Sequence, residues 1–138
     1  MTLLVATLAA TPACGSIDQP SPISLTGTWS GTATDSSGPG NITWEVTQSG
    51  DSFSGTLTMT DESSGAHGRG SVSGTVSRTT AAFSITIPAG GFDDPWAACT
   101  ATLTGTATVT SSSLSGTFTG SNSCSGSVSA GQLTLSKS

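Results

Sequence analysis

The chain has 138 residues, room for one domain, with only 8% charged residues and a formal net charge of −5. Its three basic residues, Arg69, Arg78 and Lys137, cannot build the positive patch that neutralises phosphates, which excludes nucleic acid as a partner. Ser and Thr make up more than a third of the chain, a composition common in exported β-proteins.

Leu3 to Ala13 is a run of small and apolar residues, too short to span a bilayer as a helix, and reads as an export signal. It ends in Thr11-Pro12-Ala13-Cys14-Gly15, which resembles a bacterial lipoprotein signal, where a small residue precedes the cysteine that receives lipid. That resemblance implies a signal over residues 1–14 and a lipid on Cys14. The protein would then be exported and held at the bacterial outer membrane or cell surface by this anchor alone. An ordinary secretory signal would instead leave it periplasmic or secreted. Residues 15–24, with Pro20 and Pro22, read as an extended linker. Residues 25–138 then form the single folded domain.

Within that domain one phrase recurs: an apolar residue, Ser or Thr, Gly, then Thr. It stands at Leu25-Thr26-Gly27-Thr28, Phe53-Ser54-Gly55-Thr56, Val72-Ser73-Gly74-Thr75, Leu103-Thr104-Gly105-Thr106 and Leu114-Ser115-Gly116-Thr117. Around each copy apolar and hydroxyl residues alternate, the period of strands with one dry and one wet face. Eight strands are expected: Leu25–Thr34, Asn41–Gln48, Phe53–Thr60, Ser71–Ser77, Ala82–Ile87, Cys99–Val109, Leu114–Gly120 and Ser127–Ser136. Ile42, Trp44 and Val46 should face Met59, Leu57 and Gly55. Val72, Gly74 and Val76 should face Ile87, Ile85 and Phe83. The last strand changes parity at Ala130-Gly131, between Val128 and Leu133, the mark of a bulge or bend. Glycines on the apolar face (Gly27, Gly31, Gly55, Gly74, Gly105, Gly116) suit crowding inside a closed barrel, with bulky neighbours covering the gaps. The fold expected is all-β, an eight-stranded antiparallel up-and-down meander barrel. A two-sheet β-sandwich is the alternative.

Three cysteines leave one odd. If Cys14 carries lipid, Cys99 and Cys124 remain as a disulfide pair in an oxidising compartment. Register supports this. Setting Val109 opposite Leu114, Gly105 opposite Phe118 and Leu103 opposite Gly120 puts Cys99 opposite Cys124 on the same face.

In a meander the links alternate between the two ends. Asp35–Gly40, Asp61–Gly70, Pro88–Ala98 and Ser121–Gly126 are long and fall at one end. Ser49–Ser52, Arg78–Ala81 and Thr110–Ser113 are tight turns at the other, where both ends of the barrel chain also lie. A lipid at Cys14 would point the long-loop end outward, and long loops on a rigid scaffold are where binding sits. That end gathers Asp35, Asp61, Glu62, His67, Arg69, Asp93, Asp94 and Trp96.

Leu25-Thr26-Gly27-Thr28-Trp29 resembles the Gly-x-Trp first strand of the calycins, the lipocalin and avidin barrels, and Asp51-Ser52-Phe53-Ser54-Gly55-Thr56 resembles the avidin strand ending in Thr-Gly-Thr. The resemblance implies an eight-stranded barrel whose floor Trp29 closes. With no tyrosine in the chain, avidin's tyrosine contact to biotin has no counterpart. Lys137, past the expected end of the last strand, leaves the lipocalin arginine unmatched.

Two function classes follow. In the first, a lipocalin-like barrel binds a small apolar ligand at its long-loop end. Trp44, Phe53, Trp96 and Phe118 contact it, beside the loop residues Phe92, Asp93 and Asp94. In the second, the long loops bind a protein, as a hydrolase inhibitor would, or the barrel serves as a surface structural lipoprotein. A cavity of a few hundred Å³ would favour the first class, and a packed interior with an exposed Trp96 the second. No enzyme motif is present, the lone His67 reads as a solvated loop residue, and neither metal nor cofactor is expected. Threonine ranks such as Thr56, Thr58 and Thr60 read as a solvated sheet face, since a twisted barrel lacks the flat array that ice binding needs. The protein is expected to be a monomer.

Overall fold

A computed structural model describes residues 23–138. The signal segment, Cys14 and most of the linker lie outside the described residues. The period-2 pattern produces β1 (Gly27–Asp35), β2 (Gly38–Ser49), β3 (Ser52–Asp61), β4 (His67–Ser77), β5 (Thr80–Ile87), β6 (Ala101–Val109), β7 (Ser113–Asn122) and β8 (Gly126–Lys137). Each strand pairs antiparallel with the next, and β8 returns to β1. The fold is therefore the meander barrel, not the sandwich.

Two hairpins carry the expected register. Ile42, Trp44 and Val46 face Met59, Leu57 and Gly55. Val109, Gly105 and Leu103 face Leu114, Phe118 and Gly120. Continuing the second ladder joins Cys99 to Cys124, with Cα atoms 5.6 Å apart. The β4–β5 hairpin differs from expectation by two residues: Val72, Gly74 and Val76 face Ile85, Phe83 and Ala81. The turn there is only Arg78-Thr79, and Arg78 takes a left-handed φ of 56° that closes it tightly. The slip is even, so every side chain keeps its face. In β8 the ladder shifts between Phe118 and Gly120, and Ala130 has a φ of 52°, which is the bulge that the parity change called for.

The interior is apolar, and Trp29, Trp44, Leu57, Ile87, Leu114, Leu133 and Leu135 are among its largest fully buried side chains. Each of the four phenylalanines faces a glycine on the neighbouring segment. Phe53 pairs with Gly74, Phe83 with Gly105, Phe118 with Gly131, and Phe92 with Gly68. An atom of each ring lies 2.5–3.0 Å from where a Cβ on the glycine would stand, closer than a side chain there would allow. Glycine thus makes room for a ring in a narrow barrel, and the ring covers the backbone that glycine leaves bare.

The two ends differ. At the tight-turn end Leu25 is fully buried, its N–H donates to Gln48 Oε1 at 2.7 Å, and its carbonyl accepts from Trp29 Nε1 at 2.9 Å. β8 runs on to Lys137, one residue past the expected end of the strand. The Lys137 ammonium lies 5.6 Å from the centre of the Trp29 ring. This end is sealed. At the other end the strands run longer than expected and the links are shorter: Ser36-Ser37, residues 62–66 and residues 123–125. Only residues 88–100 form a long loop there.

Candidate ligand-binding site

The long loop is held from both sides. Arg69 N–H donates to Gly91 C=O at 2.8 Å and Asp93 N–H to His67 C=O at 3.0 Å, so Gly91–Asp93 runs beside the start of β4. Phe92 turns inward over Gly68 and Met59 and is 8% exposed. Within the loop, Trp96 N–H donates to Asp93 C=O and Cys99 N–H to Trp96 C=O, each at 2.9 Å. The far end is fixed by the Cys99–Cys124 disulfide and by Thr100 and Ser123, which exchange bonds of 2.8 Å. Pinned in this way, the loop bends over the barrel mouth.

Beneath it lies a cavity of about 300 Å³. Its wall is apolar: Ile42 and Leu57 from β2 and β3, Ile85 and Ile87 from β5, and Phe118 and Leu133 from β7 and β8. Phe92 and Trp96 form the loop side. The partly buried apolar residues packed against the core are Ile23, Ala33, Met59, Trp96, Leu103 and Val128. All but Ile23 line this one cavity. The barrel is therefore filled at its sealed end and unfilled at its mouth.

The rim is polar. Asp35, Ser37, Asn41, Asp61, Ser64 and Asn122 contribute to it. The Asp35 carboxylate accepts from Ser37 N–H at 2.7 Å and from the Ser37 hydroxyl. The Asp61 carboxylate accepts from Ser63 N–H at 2.8 Å, from the Ser63 hydroxyl at 2.6 Å and from Ser64 N–H at 3.3 Å. Partial desolvation pushes the Asp61 carboxyl up, but these bonds together outweigh it and hold its pKa below the ordinary 3.8. A group depressed on folding stabilises the fold above its unfolded pKa, and the benefit fades as pH falls through the folded value. Asp61 should thus contribute steadily at neutral pH and lose its contribution below about pH 4. In denaturant titrations across acid pH, Asp61→Asn should flatten part of the parent's decline. An unchanged decline would remove Asp61 as a cause.

The residues singled out from sequence divide by height in the barrel. Phe92, Trp96 and Phe118 line the cavity. Trp44 and Phe53 point inward but lie in the packed part. Trp44 meets Phe83 edge-on, ring centres 5.3 Å apart, and its indole N–H has no partner among the described residues. Asp93 and Asp94 are exposed on the outer side of the loop. Asp93 lies 3.9 Å from Arg69 in an exposed pair of small energetic weight. His67 bonds Thr60 through Nδ1 at 3.0 Å, also exposed. Sequence reasoning missed the wall residues Ala33, Met59, Leu103 and Val128. Their inward parity was readable, but their nearness to an unfilled end was not. Among the described residues, no three His, Cys, Asp or Glu side chains gather as a metal site. No protein-family model, curated protein or solved structure gave a significant match to the chain.

Proposed function

We propose that this protein is a non-enzymatic binding barrel that takes up a small, mostly apolar molecule through the mouth beneath the 88–100 loop. The observation that carries this reading is the convergence of Ala33, Met59, Trp96, Leu103 and Val128 on one cavity of about 300 Å³. That volume is at the small end of the range for ligand pockets, about 300–1,000 Å³. Half-buried apolar walls around a void lose both water exclusion and packing contacts, and an apolar guest supplies both. Trp96 turns toward this wall, which favours a ligand over a protein partner anchored on that ring. The lipoprotein-like Cys14 supports an exported protein tethered to a membrane by lipid alone. A closed barrel has no free edge to pair with another copy, which supports a monomer.

The test is titration of the 23–138 barrel with N-phenylnaphthylamine, a neutral dye that brightens in apolar surroundings. Saturable binding with one dye per barrel is expected, accompanied by a change in Trp96 emission. Ala33→Phe, which places a ring in the cavity, should weaken binding at least about tenfold while the thermal midpoint holds. Absence of saturable binding by the parent would overturn the reading.

A further inference from the structure

The charge at the rim of the cavity is of one sign. Among the described residues, Asp35 and Asp61 are the only charged side chains in the cavity lining. Both accept bonds from hydroxyl and N–H donors of their own turns, which fixes each carboxylate in place at the rim. No cation of the described barrel compensates them. Arg69 is drawn to Asp93 on the outer side of the loop. Arg78 sits in the β4–β5 turn at the sealed end. Lys137 lies over Trp29 at that same end. Two uncompensated negative charges therefore face the entrance of an apolar cavity, where low-dielectric walls strengthen their field.

We propose that the ligand is an amphiphilic cation: an apolar body that fills the cavity and an ammonium or similar group that remains at the rim beside Asp35 and Asp61. The inference rests on the cavity's being a ligand site and adds the charge class of the guest. A protonated amine has donors for carboxylate oxygens, and at the rim it keeps part of its hydration. A fatty acid or other apolar anion of the same length meets two like charges and no donor of positive charge. The same carboxylates that attract an amine thus act against the commonest apolar anions.

The experiment displaces N-phenylnaphthylamine from the barrel with three molecules of equal chain length: octylammonium, octanol and octanoate, each below its aggregation limit. Octylammonium should bind about tenfold or more tightly than octanol, and octanoate more weakly than octanol. In the Asp35→Asn, Asp61→Asn double variant the three should converge on the parent's value for octanol. Asparagine keeps the Oδ1 acceptor for the turn bonds, and dye binding reports whether the variant is folded. At about 1 M NaCl, where the screening length falls to about 3 Å, the parent's preference should shrink. If octanol and octanoate displace the dye as well as octylammonium does, the cation proposal fails while the apolar cavity stands. If the dye itself does not bind, the ligand reading fails with it.

Discussion

Gly55→Ala is expected to cost at least about 3 kcal/mol and to leave much of the chain unfolded. A Cβ at position 55 would overlap the carbonyl oxygen of Glu45 and stand 2.8 Å from the Cα of Val46. Both are backbone of β2, so no rotamer change relieves the clash. The β2–β3 ladder would have to part, and ten paired positions of that ladder share the strain. Ser54→Ala, one residue away on the wet face, is the matched control and should stay within about 0.5 kcal/mol of the parent. Urea midpoints of the three proteins measure the difference. A Gly55→Ala midpoint within about 1 kcal/mol of the parent would show that β2 and β3 can part at little cost in solution. The same crowding by backbone meets Gly31, Gly74, Gly105 and Gly116, so the recurring glycine is a requirement of the narrow barrel and not a weakness in its strands.

Reduction of the Cys99–Cys124 disulfide should lower stability by about 3 kcal/mol, from the closure of a chain segment with a sequence separation of 25. The effect at the mouth is the more telling part. Residues 88–100 are tied to β4 by backbone hydrogen bonds and to the β7–β8 link by the disulfide. Cutting the second tie frees the Trp96 side of the lid while Gly91–Asp93 stays docked. Trp96 emission should therefore move to the red, and dye affinity should fall, under conditions where circular dichroism still reports the intact barrel. Dithiothreitol treatment of the parent and the Cys99→Ala, Cys124→Ala double variant should agree. If both leave the midpoint within about 0.5 kcal/mol and Trp96 unchanged, the loop is held by its backbone bonds alone.

Parity was the legible part of this sequence. Alternation of apolar and hydroxyl residues decided which residues face inward, and tight turns then set the β2–β3 and β6–β7 registers and paired Cys99 with Cys124. The β4–β5 register escaped because a two-residue slip leaves parity intact; only the left-handed Arg78 distinguishes the two choices. The segments Gly38–Gly40 and His67–Gly70 looked like loops because they are rich in glycine. They are strand, and Gly68 is small because Phe92 lies against it. Height along the barrel axis was the least legible quantity. Trp44 and Phe118 share the inward face, yet one is locked among core side chains and the other borders a void. Position along a strand does not reveal how much of the interior its neighbours fill.

The join between β8 and β1 differs in kind from the other seven. Every other ladder connects neighbours in the chain, so each hairpin can zip up locally. The last join brings Trp29 to Lys137 across nearly the whole folded sequence. Until it forms, the chain is an open ribbon whose first and last strands both offer unsatisfied amide and carbonyl groups. Copies at high concentration can meet each other's ribbons during that interval, and a mutual exchange of terminal strands would satisfy the same bonds. Ser138 N–H donates to Thr28 C=O at 2.9 Å, so the extreme ends of this seam meet only when the ring is complete. Joining those ends covalently and opening the chain at the Gly50-Asp51 turn would turn the least local pairing into a local hairpin.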